Sequence, residues 1–131
     1  MILDAQALFS DQQAITANAA STNYMDFSVA ADQGKGVPMP LLIQVTEDFD
    51  NLTDLTVDLE VDNDEAFGSV KKVSSVTVAL ADLKAGKQIP PMYMPQGVDE
   101  RYCRLYYTVN GAAPTAGKIT AGVTCAVQTN R

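Results

Sequence analysis

Eight acidic side chains between residues 48 and 65 form the densest group in the chain that could do chemistry. Carboxylates serve as general acids and bases and as ligands for hard cations such as Ca²⁺. The run Asp62-Asn63-Asp64-Glu65 places oxygen ligands close together, but it lacks the spacing, glycine and closing glutamate of an EF-hand. We therefore interpret the series as a solvated strand face followed by a polar turn, and predict no metal ligand and no catalytic residue in it. Its members are Asp48, Asp50, Asp54, Asp58, Glu60, Asp62, Asp64 and Glu65.

The other reactive residue types also argue against an enzyme. The chain has no histidine, the commonest general base and metal ligand, and no Gly-x-Ser-x-Gly motif. Gly34-Lys35-Gly36 lacks the spacing of a phosphate-binding loop, so we interpret it as a surface loop. Cys103 and Cys125 fall on the apolar face of predicted strands, which favours two small buried hydrophobes over a disulfide. We expect no enzyme activity and no cofactor.

Length, charge and hydropathy predict one soluble domain. The 131 residues suffice for a single core, and no apolar run approaches the roughly 20 residues that cross a bilayer. The N-terminus lacks the basic and apolar regions of a secretory signal. A formal charge of −7 repels phosphate backbones and anionic lipids, so we expect neither a nucleic-acid nor a membrane partner.

Alternating hydrophobicity predicts strands along most of the chain. In residues 101–110 the odd positions from Cys103 to Val109 are apolar. Residues 118–128 repeat the pattern after a turn-rich stretch, so we expect a long antiparallel hairpin. The apolar residues from Leu55 to Val61 alternate with polar, mostly acidic residues, and Leu41, Ile43 and Val45 mark another strand. Val73 is out of step with Val70, Val76 and Val78, which indicates a bulge or a short break. Further extended segments are expected at 24–30 and 89–95, and a short helical turn at 81–87 that ends at Gly86.

These elements favour an all-β fold, a jelly-roll-like antiparallel β-sandwich of about 7–8 strands with at most short helical turns. Residues 1–22 are rich in Ala, Gln, Ser and Thr and fit either a helical face or an extended edge segment. We interpret them as an N-terminal arm that packs on, or is exchanged with, a neighbour. Residues 23–131 form the single sandwich domain.

Three stretches resemble a known family: Met1 to Ala14, Val78 to Lys87, and Arg101 to Val109 with Ala113 to Gly122. In matching order they are similar to the capsid cement, or decoration, proteins of tailed bacteriophages, of the type found in the Bordetella phage. The resemblance implies a jelly-roll-like domain on the outside of the phage head, where it clamps neighbouring major capsid proteins. It implies no catalytic residues.

The resemblance also implies partners and a location. The partners are the major capsid protein and the chain itself, as a homodimer or alternatively a trimer. The location is the capsid exterior of a virion assembled in the host cytoplasm. The arm and the proline-fixed segment 89–95 are the candidate contact surfaces, because rigid backbone and Met or Tyr side chains favour binding. The candidate interface residues are Leu3, Leu8, Phe9, Ile15, Met92, Tyr93 and Met94.

A second hypothesis is a carbohydrate-binding jelly roll of a tail or host-recognition structure. Its exposed aromatic residues would be Tyr24, Tyr102 and Tyr106. The chain has no tryptophan, the residue that stacks best on sugars, and this weakens the alternative.

Overall fold

A computed structural model describes residues 3–27, 40–90, 93 and 100–124. These residues form eight β-strands and one 3₁₀ helix at Leu80–Asp82. The strands are β1 Leu3–Ala14, β2 Ala19–Ala20, β3 Met25–Asp26, β4 Leu41–Glu47, β5 Leu52–Asp62, β6 Lys71–Ala79, β7 Tyr102–Gly111 and β8 Lys118–Thr124.

The strands form two antiparallel sheets. The first has three strands in the order β1-β8-β4, and the second has five, in the order β2-β7-β5-β6 with β3 also paired to β7. The predicted all-β antiparallel sandwich is therefore confirmed. Its core lies where period-two alternation placed it, because one face of each central strand is apolar. The core residues at the centre of the sheets include Ile43, Val45, Leu55, Val57, Leu59, Val61, Leu105, Tyr107 and Ile119.

The predicted C-terminal hairpin is wrong. Strand β7 belongs to the five-stranded sheet and β8 to the three-stranded sheet, so the loop between them crosses from one sheet to the other. Asp50 holds this loop, since its carboxylate accepts hydrogen bonds from the Thr115 and Ala116 backbone N–H groups. Two strands in opposite sheets turn their apolar faces toward the same core, so alternation alone does not distinguish them from a hairpin.

The N-terminal residues are extended rather than helical. Strand β1 pairs with β8 at the edge of the three-stranded sheet, with three register shifts along its length. Phe9 and Ile15 are each 1% exposed and belong to the core of this chain. The Ser10 hydroxyl lies 2.8 Å from the Tyr107 hydroxyl, which connects the two sheets through the core. Exchange of the strand with a neighbour remains a prediction.

The structure contains the predicted bulge in β6, whereas the predicted helical turn has different bounds. In β6, Ser74 pairs with Leu59 and Lys72 with Glu60, so Val73 is the extra residue of the predicted bulge. The helical turn predicted at 81–87 is instead a 3₁₀ helix at Leu80–Asp82 with Leu83 as its C-cap. Gly86, with φ +96°, does not end this helix but lies in the turn that follows it. The chain then runs along β4, where the Val45 N–H donates to Lys87 O and the Ile89 N–H to Ile43 O. This segment therefore covers the outer edge of β4.

Candidate functional site

The acidic face of β5 is largely buried, which corrects the prediction of a solvated face. Asp58 is 1% exposed, Glu60 3% and Asp62 7%. The neighbouring strands β6 and β7 place long cationic side chains over these carboxylates, and the loop after β5 folds back on Asp62. Alternation identified the face correctly, but it carried no information on what covers that face.

Two ion pairs bridge the strands of this face. Lys72 Nζ lies 3.1 Å from an Asp58 carboxylate oxygen, and this hydrogen bond raises the pKa of Lys72. Arg104 Nε donates to Glu60 Oε1 at 2.9 Å. The Arg104 guanidinium also lies 4.4 Å from the ring centre of Phe67, a cation–π distance. Arg104 therefore fastens the loop that carries Phe67 to the sheet.

Asp62 fixes the loop that follows β5. Its two carboxylate oxygens accept hydrogen bonds from the N–H groups of Asp64, at 3.1 Å, and Ser69, at 2.8 Å. The hydrogen bond from Ser69 is the main reason that the pKa of Asp62 lies below its ordinary value. Across residues 3–27, 40–90, 93 and 100–124, no group of three or more His, Cys, Asp or Glu residues could hold a metal ion. The oxygen-rich run 62–65 thus organises a turn.

Three aromatic rings close the same end of the sandwich. Tyr24, Phe67 and Tyr102 pack edge to face, with ring centres 5.7–6.4 Å apart. The Arg101 guanidinium lies 5.0 Å from the ring centre of Tyr102, and its Nε donates to Asp26 at 2.7 Å. The Tyr24 hydroxyl donates to Glu65 and thereby has a raised pKa.

We call the ion pairs and aromatic rings at this end of the sandwich the charged–aromatic cluster. Its residues tie together three segments that are distant in sequence, 24–26, 58–72 and 101–104. Tyr102 is buried, and Tyr106 is half-buried beside the Arg104 guanidinium. Its carboxylates contact cations, N–H groups or, for Glu65, the Tyr24 hydroxyl within the protein. The arrangement stiffens one end of the sandwich. Its members are Tyr24, Asp26, Asp58, Glu60, Asp62, Glu65, Phe67, Lys72, Arg101, Tyr102 and Arg104.

The predicted interface residues fall into different environments. Tyr93 is 52% exposed and lies beside Pro40 at the edge of β4. Leu8 is half-buried, whereas Phe9 and Ile15 are core residues of this chain. The backbone of Leu3 pairs with Thr124. Met92, Met94 and Cys125 lie outside the described residues, and Cys103 is buried with a free thiol. The role of the seven candidate residues in an interface remains a prediction.

Sequence reasoning missed the pairing of Arg104 with Glu60. The sequence contained the signal, since Arg104 lies on the polar face of β7 and Glu60 on the polar face of β5. Finding it required the knowledge that β7 and β5 are neighbours, with Glu60 directly opposite Arg104.

The sequence model of one protein family, Bbp16, matches residues 9–123. This range runs from β1 to β8 and so includes both sheets. The chain belongs to the Bbp16 family. The family carries the name of a Bordetella phage protein, and a phage protein is consistent with the resemblance seen in the sequence. A search of curated proteins found no match. No helix among the described residues is long and apolar enough to cross a bilayer.

Proposed function

We propose that this chain is a capsid cement protein of a tailed bacteriophage. It binds the outside of the phage head and clamps neighbouring major capsid proteins, which stabilises the shell. The observation that carries the proposal is membership of the Bbp16 family across both sheets, together with the resemblance of three stretches to cement proteins.

The rigidity of the sandwich supports this role. A clamp must transmit force between its contacts without deforming, and close-packed protein interiors have low compressibility. The inter-sheet contact of Ser10 with Tyr107 and the charged–aromatic cluster both add cross-connections to the packed core. The fold is therefore suited to holding two contact surfaces at a fixed separation.

Tyr93 is the best-placed contact residue of the predicted set. It is half exposed on the segment that covers the edge of β4, and prolines at positions 90 and 91 restrict the backbone before it. Tyrosine contributes a large, partly apolar area to interfaces, and a restricted backbone loses less entropy on binding. We place the capsid contact on this edge.

The same proposal covers partners and location. The partners are the major capsid protein and a second copy of the chain, with a homodimer as the working unit. The protein is added to the capsid exterior during assembly in the host cytoplasm. A net charge of −7 per copy would keep decorated particles apart in solution.

Co-sedimentation with capsids tests the proposal. The purified chain should sediment with assembled shells of the major capsid protein and stay in solution with unassembled subunits, because neighbouring subunits complete the binding site. Equal binding to isolated subunits, or no binding to shells, would overturn it. Shells added to an unrelated acidic β-sandwich protein provide the control.

A further inference from the structure

The four sheet edges formed by the described strands are not equally protected against pairing. An open edge strand offers unpaired N–H and C=O groups to other chains, and proteins protect such edges with bulges, interruptions or covering segments. Strand β1 carries three register shifts. The edge of β4 is covered by residues 86–89 and by Tyr93. On one side of β7 lie the two-residue strands β2 and β3. Among the described residues, β6 pairs only with β5.

Strand β6 has the features of a pairing edge. From Ser74 to Ala79 it matches β5 residue for residue, so the backbone is regular over six positions. Its bulge and both of its lysines lie ahead of this stretch. Residues 73–79 contain no charge and no proline, the usual protective residues. The side chains of Ser75, Thr77 and Ala79 are exposed, so no described segment covers this face of the strand.

We infer that β6 pairs with β6 of a second copy of this chain, antiparallel across a two-fold axis. The inference rests on the proposed self-association and assigns the surface that carries it. An isologous contact needs a patch that complements itself when rotated. An antiparallel strand pair provides this, and the two five-stranded sheets become one continuous sheet through the dimer.

The charge distribution favours a second copy of this chain as the partner that pairs with β6. Two copies of a chain with a net charge of −7 repel each other, so they must meet where acidic residues do not face acidic residues. Residues 71–82 carry two lysines, Lys71 and Lys72, and one acid, Asp82, for a local charge of +1. Antiparallel pairing brings the lysine end of each strand toward Asp82 of the other copy. Parallel pairing would place like charges together.

Substitutions that add charge to β6 test this pairing. Ser75→Lys with Thr77→Lys places four lysines at the centre of the β6–β6 contact, where like charges opposite each other are unfavourable. Ser75→Glu with Thr77→Glu does the same with acids. The matched control is Thr16→Lys with Thr46→Lys, which adds the same charge at exposed positions outside β6. Sedimentation equilibrium measures the dimer dissociation constant of each protein, and circular dichroism measures its fold.

We expect a dimer for the unchanged protein and the control, and dissociation constants raised by about tenfold or more for each β6 variant. An equimolar mixture of the lysine and glutamate variants should dimerise again, which misfolded chains would not do. Dimers of both β6 variants would overturn the assignment and leave the capsid function standing. A monomeric unchanged protein, or variants that stay monomeric when mixed, would overturn it as well. Binding to assembled shells is measured separately and tests the proposed function.

Discussion

Arg104 contacts both a carboxylate and an aromatic ring of the charged–aromatic cluster. It donates to the buried carboxylate of Glu60 and lies against the ring of Phe67. Phe67 itself has a positive φ of 54°, a conformation that bulky residues adopt only when the surroundings enforce it. Arg104 therefore compensates a buried charge and helps to hold a strained loop.

Replacing Arg104 with alanine should destabilise the protein by about 3–5 kcal/mol, because it leaves the Glu60 carboxylate buried without its partner. Urea unfolding followed by circular dichroism measures this change. The matched control is Lys118→Ala, whose pair with Glu47 spans 3.8 Å with both side chains substantially exposed. That loss should stay below about 1 kcal/mol. Equal effects of the two substitutions would show that burial does not control the strength of the Arg104 pair.

The burial of the Arg104–Glu60 pair could not be predicted from single residues. Alternation assigned Glu60 and Arg104 to the polar faces of their strands, and this was correct. The predicted exposure of Glu60 was wrong, because its burial depends on a loop and on a neighbouring strand. The local sequence does not encode the positions of either. Cys103 shows the opposite case, since its apolar parity alone placed it in the core.

At the level of elements, the loop 63–70 depends on the Asp62 carboxylate. The folded-state pKa of Asp62 lies below its ordinary value of 3.8, so its contribution to stability is complete above that value and is lost as pH falls below it. Asp62→Asn removes one acceptor oxygen and should lower the urea midpoint at neutral pH.

Unfolding at pH values from about 7 down to about 3 measures the effect. The stability difference between Asp62→Asn and the unchanged protein should shrink as the pH falls, because protonation removes the same carboxylate. Asp11→Asn, at an exposed position of β1, controls for the change of charge. A difference that stays constant across the pH range would contradict the role of the ionised carboxylate.

The crossing loop between β7 and β8 depends on Gly117. It has φ +132°, and a Cβ there would lie 2.5 Å from ring carbons of the buried Phe49. Gly117→Ala should cost about 2–5 kcal/mol, from backbone strain and overlap together. Gly86→Ala at φ +96° meets nothing within 4 Å and should cost about 1–2 kcal/mol. Thermal unfolding compares the two, and a smaller loss at Gly117 would contradict this account of the loop.

The sequence predicted the elements better than their partners. The apolar stripes of β4, β5, β7 and β8 were all visible, as was the bulge at Val73. The assignment of β7 and β8 to opposite sheets was missed because loop contacts decide it. The side chain of Asp50, 65 residues from Thr115, holds the crossing loop, and no local pattern reports such a contact.

For the molecule as a whole, the proposed function requires a surface that binds the capsid shell. Tyr93→Ala removes a side chain that is 52% exposed and should weaken binding to assembled shells by about tenfold, as for an interface anchor. Val70→Ala, at a position 37% exposed on a different part of the surface, is the control and should leave binding unchanged. Quantitative co-sedimentation measures both. Equal affinities for Tyr93→Ala and the unchanged protein would place the contact elsewhere.

The fold class followed from composition and period-two alternation, since a chain without long amphipathic helices has few ways to bury its apolar stripes. The proposed role did not follow from residue chemistry, because a contact surface requires no particular constellation of residues. Phe9 and Ile15 illustrate this limit. Their apolar character suggested an interface, but the same character serves the core in which the structure places them.

A cryo-EM map of the phage particle that contains this protein tests the central claim most directly. The account predicts density for the two-sheet sandwich on the outer surface of the head, in contact with at least two neighbouring major capsid proteins. Density inside the shell, on the tail, or against a single capsid protein would contradict it.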